Sequence, residues 1–416
     1  MRNLAVVILA AGRGTRLKSD IPKALHRICG VAMLDLVLAK VKGLRPSKIL
    51  VVAGHKIDEV RRLVGRRARV VWQKPLLGSA HAVAQAAPLL KNFKGSVAVV
   101  YCDLPVISAA TLEKIFQNHR RKATDCSLLS VRLNGPGGYG RVVRSKSGAV
   151  QRIVEEMDAS AGEKKIREIN VGCYLFRPGK LFGALAGVGK NPRKKEYYLT
   201  DVVGILSKEG RVEAIETPDR EEALGVNSRM DLMRVEQIMQ QRVLREWIER
   251  GVRIRDPRTT TIDADVKIGE GTQVLPNTVI EQGSVIGRDC VIGPFARVRG
   301  ASRIGHRVVI GNFVEVVRSR VGDGTQIKHL SYIGDARIGA SVNVGAGTIT
   351  ANFDGNKKHP TVIRDKAQIG SGTILIAPVT VGRAARTGAG AVVTKGKNVP
   401  DRAVVAGVPA KRLSTQ

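Results

Sequence analysis

From Ile262 onward the chain places an aliphatic residue at every sixth position: Ile262, Ile268, Val274, Ile280, Ile286, Ile292, Val298, Ile304, Ile310 and Val316. The period slips by one at Val321, resumes at Ile327 and Ile333, and slips again at Ile338. It returns at Val344 and reappears at Ile363, Ile369, Leu375 and Val381. A helix repeats near 3.6 residues and a strand at 2, so neither alone yields a strict six. A six-residue side with one inward aliphatic and a corner does. Three sides close a coil of about eighteen residues, and coils stack as parallel strands roughly 4.8 Å apart. The pattern predicts a parallel β-helix from about residue 262. Each buried Ile or Val contributes roughly 1.5–3 kcal/mol, but only once a neighbouring coil covers it. Gly269, Gly287, Gly293, Gly305 and Gly311 follow the aliphatic, where they are expected to ease a tight corner. The gap between Val344 and Ile363 predicts that residues 348–360 loop out of the prism.

The first half follows a different rhythm. Apolar runs at 4–10, 49–53, 70–72, 97–101 and 126–131 read as strands. Helical spacing marks 34–42, 57–63, 80–89 and 109–117. Strand and helix in alternation predict a mostly parallel α/β sheet covered on both faces, with ligands past the carboxyl ends of its strands. Leu232, Val235, Ile238, Met239, Val243, Leu244, Trp247 and Ile248 recur at helical spacing with charge between them. They predict a long amphipathic connecting helix, with a coiled-coil interface as the alternative. The expected division is 1–227, a linker helix at 228–250, and 251–416.

Composition adds a constraint. The chain has 69 Lys and Arg against 36 Asp and Glu, a net charge of +33. A solvated basic surface accounts for this most simply, and attraction of anionic substrates is the second reading. Aromatic residues are only 4%, too few for stacking platforms on single strands, and no helix-turn-helix or finger spacing occurs. Five scattered cysteines without a CxxC pair fit a reducing compartment rather than a disulfide scaffold or zinc site. The run that ends at Ala11 reads as a buried strand rather than a signal core. No apolar stretch approaches the ~20 residues of a membrane span. A cytoplasmic enzyme is expected.

Three places carry chemistry. Ala10-Ala11-Gly12-Arg13-Gly14-Thr15-Arg16-Leu17 follows the first strand, so its backbone N–H groups can approach phosphates, with Arg16 and Lys23 as cations. It is neither the dinucleotide fingerprint nor a P-loop; a plain strand-to-helix turn is the competing reading. Asp103 ends the apolar run 97–100, where one carboxylate with substrate phosphates suffices for Mg²⁺; a turn-capping aspartate is the alternative. His329 lies among polar residues just before the period breaks, on a rigid scaffold whose loops tend to carry function.

These motifs resemble the sugar-1-phosphate nucleotidylyltransferases. The similarity runs through Leu9-Ala10-Ala11-Gly12, Lys23, Gln73, Gly78-Ser79, Tyr101-Cys102-Asp103, Gly140, Glu155, Asn170, Glu196-Tyr197-Tyr198-Leu199-Thr200-Asp201 and Asn227. Joined to a hexapeptide β-helix, the series resembles the bacterial bifunctional N-acetylglucosamine-1-phosphate uridylyltransferase / glucosamine-1-phosphate acetyltransferase family over nearly the whole chain. The resemblance implies a left-handed β-helix and synthesis of UDP-N-acetylglucosamine for cell-envelope precursors. It implies that Leu9, Ala10, Ala11, Gly12, Lys23, Gln73, Gly78, Ser79, Tyr101, Cys102 and Asp103 hold the uridine nucleotide. Gly140, Glu155, Asn170 and Asn227 would meet the sugar nucleotide. Asp103 and Asn227 would bind Mg²⁺, and Arg16 and Lys23 would spread charge on the phosphates of UTP.

For the second half, the resemblance implies that His329 is the general base of acetyl transfer from acetyl-CoA, as an imidazole suits near-neutral pH. Arg299, Tyr332, Asn343 and Lys358 correspond to acceptor contacts, and Ala346, Asn352, Phe353, Ser371 and Ala389 to acetyl-CoA contacts. A homotrimer with shared acyl sites is implied. The sequence departs from the family's pattern at Cys102, at Ser79-Ala80, at Val317 in place of a sugar-phosphate lysine, and at Gly407 in place of a coenzyme arginine. Arg318 is not expected to replace that lysine, because adjacent strand residues face opposite ways. Two further readings remain: a nucleotidylyltransferase whose β-helix has lost acetylation or uses another acceptor, and a basic assembly protein on the same fold.

Overall fold

A computed structural model describes residues 3–90 and 92–413. The chain divides into two compact units. One runs to Ile238, apart from Cys29–Val31, and the other is built from Met239 onward.

The first unit is organised on a nine-stranded sheet. Its elements are β1 (Leu4–Ala10), α1 (Met33–Gly43), β2 (Lys48–Ala53), α2 (Ile57–Val64), β3 (Arg69–Trp72), α3 (Ser79–Ala84), α4 (Ala87–Leu90) and β4 (Ser96–Tyr101). They continue with α5 (Ala109–Lys122), β5 (Cys126–Arg132), a hairpin of β6 (Arg141–Arg144) and β7 (Val150–Val154), and β8 (Glu168–Phe176). Then come α6 (Pro178–Ala186), α7 (Leu199–Glu209) and β9 (Val212–Glu216). The main path is β9-β5-β8-β4-β1-β2-β3. β1 is apolar throughout and fully buried because it lies between two parallel neighbours, β2 and β4. Chain order reverses there, which makes the carboxyl end of β1 a switch point.

One expectation for this half holds and one is corrected. β8 runs antiparallel between β4 and β5 while the other neighbours along the main path are parallel, giving the mostly parallel sheet expected. The expected helix over 80–89 is two short pieces separated at Gln85 and Ala86.

The second unit is a left-handed parallel β-helix of hexapeptide coils. Three parallel sheets form its faces. On the first face Val274, Ile292, Ile310, Ile327, Val344 and Ile369 stack in register. On the second, Ile262, Ile280, Val298, Val316 and Ile333 do so. Ile268, Ile286, Ile304, Val321, Ile338 and Ile363 fill the third. All are buried in one apolar cluster. A long helix, α8 (Arg229–Glu249), precedes the coils. Its Val243, Leu244 and Trp247 join that cluster beside Val252 and Ile254, so this part of its apolar stripe closes the first coil.

Here too the structure corrects detail. The coils begin at Arg253, a strand earlier than the strict period suggested. The looped segment starts at Asn352: Ile349–Ala351 is a second-face strand, and Thr350 points inward in register with Leu375. Gly293 adopts φ 102°, as expected of a tight corner, but the other four corner glycines serve a different purpose. Gly269, Gly287, Gly305 and Gly311 do not adopt left-handed φ. A Cβ at Gly311 would lie 1.9 Å from the Lys328 carbonyl oxygen, and one at Gly287 2.3 Å from that of Gly305. Glycine is required there because the next coil's backbone is too near for a side chain.

Two candidate active sites

The first site is assembled by backbone bonds. The Cys102 N–H donates to the Leu9 carbonyl (3.0 Å) and the Val226 N–H to that of Asp103 (2.9 Å). These bonds bring the ends of β1 and β4 and the segment before α8 side by side. The Asp231 carboxylate accepts from the N–H groups of Asn227 (3.0 Å) and Ser228 (2.8 Å), fixing Asn227 at the start of α8. Lys23 then donates to both Asp103 and the Asn227 amide oxygen, the latter at 2.9 Å, and Arg16 reaches the same oxygen at 3.1 Å. Gly14 is left-handed (φ 67°), and a Cβ there would fall 2.9 Å from the Lys23 Cβ. Glycine at this position therefore lets Lys23 reach the site.

Leu9, Ala11, Gly12, Lys23, Gln73, Gly78, Ser79, Tyr101, Cys102 and Asp103 line one open cleft of about 920 Å³. Ala10 is buried at the end of β1, behind that loop. Buried Gln73 donates to the Gly78 carbonyl (2.9 Å), and Ser79 Oγ accepts the Leu199 N–H (2.9 Å). Gly78 has φ 100°, and a Cβ would strike the Tyr197 carbonyl oxygen at 2.5 Å. Trp72, Lys56 and Lys74 escaped the sequence reading as cleft residues: all three line the cleft, with Lys74 4.9 Å over the Trp72 ring. Nothing in spacing marks them, because Trp72 ends β3, Lys74 follows it in the next loop and Lys56 precedes α2. Burial pushes the Cys102 thiol up to about 12, so it stays protonated and inert at neutral pH.

Gly140, Glu155 and Asn170 form a neighbouring group. The Asn170 N–H donates to the Gly140 carbonyl (2.8 Å), and a Cβ on Gly140 would sit 3.6 Å from Glu155 Oε2. Thr200 donates to Glu155 (2.9 Å). Burial holds the Glu155 carboxyl above its usual range, more than the Thr200 bond lowers it.

The charged groups fit a divalent cation. The oxygens of Asp103 and Asn227 converge on one point, where the ammonium of Lys23 lies. Among the described residues there is no cluster of three or more His, Cys, Asp or Glu. Magnesium does not need one, since it keeps waters and shares substrate phosphates.

On the β-helix, strand register arranges the residues into columns. Two positions beyond each first-face aliphatic, Asn312 pairs with His329. The same register carries Ala346, Ser371, Ala389 and Gly407 above them. His329 thus stands at the foot of a line of small residues. The next column holds Gly347, Gly372 and Gly390, all left-handed, leaving a trough without side chains up this corner. Four strand spacings separate His329 from Gly407, roughly 19 Å.

Tyr332 and Arg299 lie on the second face, where Arg299 is paired to Glu315 at 2.5 Å. Asn343 is on the first face. Asn352, Phe353 and Lys358 sit at the far corner of the second face and in its loop, closed by a Phe353–Lys358 bridge. A single chain therefore spreads these residues over two faces and two corners. Val317 is fully buried. Arg318 occupies a left-handed corner (φ 49°) and is held by Asp335 through bonds of 2.7 and 2.8 Å. Asp335 also accepts from Asn352.

A MobA-like NTP transferase domain model matches residues 6–171. A bacterial transferase hexapeptide model matches 265–300 and 283–318. The bifunctional protein GlmU of Shouchella clausii is 41% identical, covering 96% of this chain and 95% of its own. That of Geobacillus thermodenitrificans is 42% identical, covering 96% and 94%. The chain belongs to the GlmU family of bifunctional proteins. A solved UDP-glucose pyrophosphorylase complexed with UDP-glucose is 14% identical, spanning 58% of this chain and 100% of that one at a TM-score of 0.48. Within the GlmU family framework, the cleft at β1 and the trough above His329 are the two candidate active sites.

The raised Glu155 carboxyl makes a pH prediction. Its folded pKa lies above the unfolded one, so the folded state binds more protons across that window and stability falls as pH rises through it. Glu155→Gln removes this cost. Thermal unfolding of the first unit should show the variant gaining on the parent at about pH 8, with the gain gone by about pH 4.

Proposed function

We propose that the protein catalyses both transfers of UDP-N-acetylglucosamine synthesis. Acetyl passes from acetyl-CoA to the amine of glucosamine-1-phosphate. A phosphate oxygen of N-acetylglucosamine-1-phosphate then attacks the α-phosphorus of UTP, and the bond to the β-phosphate breaks to release pyrophosphate. The observation that carries the double reading is the column of His329, Ala346, Ser371 and Ala389. A prism that had lost acetylation would have no reason to keep a base at the foot of a column of small residues beside a line of glycines.

In the cleft, Gly12 and its neighbours offer backbone N–H groups to the nucleotide phosphates, while Gln73, Gly78 and Ser79 border the nucleotide. Gly140, Glu155 and Asn170 hold the sugar. Asp103 and Asn227 would hold Mg²⁺, which when bound neutralises phosphate charge. Lys23 and Arg16 add positive charge where negative charge builds, and the site aligns the two phosphates without a protein nucleophile. On the prism, His329 takes a proton from the amine as it attacks the thioester carbonyl, and the C–S bond breaks. Arg299, Tyr332, Asn343 and Lys358 orient the acceptor; Ala346, Ser371 and Ala389, with Asn352 and Phe353, line the coenzyme's path.

The acyl site is completed by further copies of the chain, in a trimer. Phe295, Phe313 and Leu330 form an exposed apolar strip next to the His329 column, with the two phenyl rings stacked 5.1 Å apart. A second prism laid along this corner buries the strip and gathers acceptor and coenzyme residues that one chain keeps apart. No helix among the described residues is long and apolar enough to cross a membrane, and a cytoplasmic setting matches the five buried, scattered cysteines.

Two assays on one preparation test the reading. His329→Ala should abolish thiol release from acetyl-CoA with glucosamine-1-phosphate and leave pyrophosphate release from UTP intact. Asp103→Ala should do the reverse; loss of both activities in either variant contradicts separate sites. Light scattering should report three copies. Phe313→Asp should lower that number and the acetyl transfer together while sparing pyrophosphate release; a monomeric parent with full acetyl transfer would remove the shared-site reading.

A further inference from the structure

We infer that Asn312 is the positioning residue that sets the tautomer of His329. The inference rests on the acetyl-transfer reading above and adds a residue to it. Asn312 lies one coil beneath His329 in the same column. Its side-chain oxygen is 2.9 Å from His329 Nδ1. Its backbone carbonyl accepts the N–H of Leu330 at 3.0 Å, so one residue grips both the imidazole and the backbone that follows it. Ser331 Oγ, donating to the His329 carbonyl at 2.7 Å, holds the same turn from the other side.

An amide oxygen only accepts, so this contact requires Nδ1 to carry the proton. The lone pair is then on Nε2, the nitrogen free to take a proton from the acceptor's amine. In the coil above, the residue in register with His329 is Ala346, whose methyl offers no hydrogen bond. The charged neighbour along its own strand is Lys328, and Tyr332 follows on the next face. Asn312 is thus the polar partner that the adjoining coils offer the ring. A neutral partner suits a base. A carboxylate in this place would also orient the ring, but it would hold the imidazolium and keep the base protonated to higher pH. Asparagine orients without that penalty.

The test separates orientation from folding. Nitrogen NMR on histidine-labelled protein should show His329 as the Nδ1–H tautomer in the parent, shifting toward Nε2–H in Asn312→Leu. Asn312→Ala should lower kcat for acetyl transfer by about tenfold or more, part of the ~10²–10⁴ that a positioned base supplies, with pyrophosphate release unchanged. Asn312→Asp, which keeps the shape, should move the acidic limb of the acetyl-transfer pH profile upward by about one unit. A parent with Nε2–H at His329 overturns the inference. So does an unmoved limb in Asn312→Asp with Asn312→Ala within about twofold of the parent. A parent without acetyl transfer sinks the functional reading instead, and the NMR result still stands or falls by itself.

Discussion

The second unit depends on coil covering coil. No turn of six residues buries its aliphatic alone; Ile310 is buried only because Ile292 and Ile327 lie in register below and above it. The parallel hydrogen-bond ladder fixes that register, and glycine corners let successive backbones approach to where a methyl group would collide. Every outward residue therefore acquires a fixed height and a fixed face. Chemistry on this surface is placed by counting residues along the coil.

That rigidity explains the acyl corner. His329 and then small residues occur at equivalent points of consecutive coils, with glycines in the neighbouring column, giving a straight trough with an imidazole at its foot. The first unit achieves placement differently. Its strands end together at a switch point, and a few bonds from Cys102 to Leu9 and Val226 to Asp103 draw distant segments together, so that Asp103, Asn227 and Lys23 meet at one point. One half organises by repetition and the other by convergence. This difference governs how far sequence reading could go in each.

The prism was legible almost in full, because a six-residue period has one common structural cause. Reading failed where the cause lay between coils: the purpose of Gly287 and Gly311 is seen only when the next coil is in place. The same holds for Asn312, whose partner is seventeen residues away, and for the first coil at Ile254, which lies eight residues before Ile262 and so off the six-residue step. In the first half, β1, β2 and β4 announced themselves as apolar runs. The antiparallel insertion of β8 did not, since strand direction leaves no mark on composition. Asp103 was visible as an acid at a strand end and Lys23 as a nearby cation. Their meeting with Asn227 was carried by family resemblance, because no local pattern joins residues more than a hundred positions apart. Trp72 and Lys74 left no signal as cleft residues for the same reason.

The most direct test of register as the organising constraint is a pair of insertions. Duplicating residues 284–301 adds one whole coil of eighteen residues, the spacing between Val285 and its partner Arg303. A single residue inserted between Asp323 and Gly324 instead shifts His329 off its column. The account predicts acetyl transfer retained after the eighteen-residue insertion and lost after the single one, with pyrophosphate release unaffected in both. Acetyl transfer that survives the single insertion, or vanishes with the whole coil in a folded protein, would contradict it.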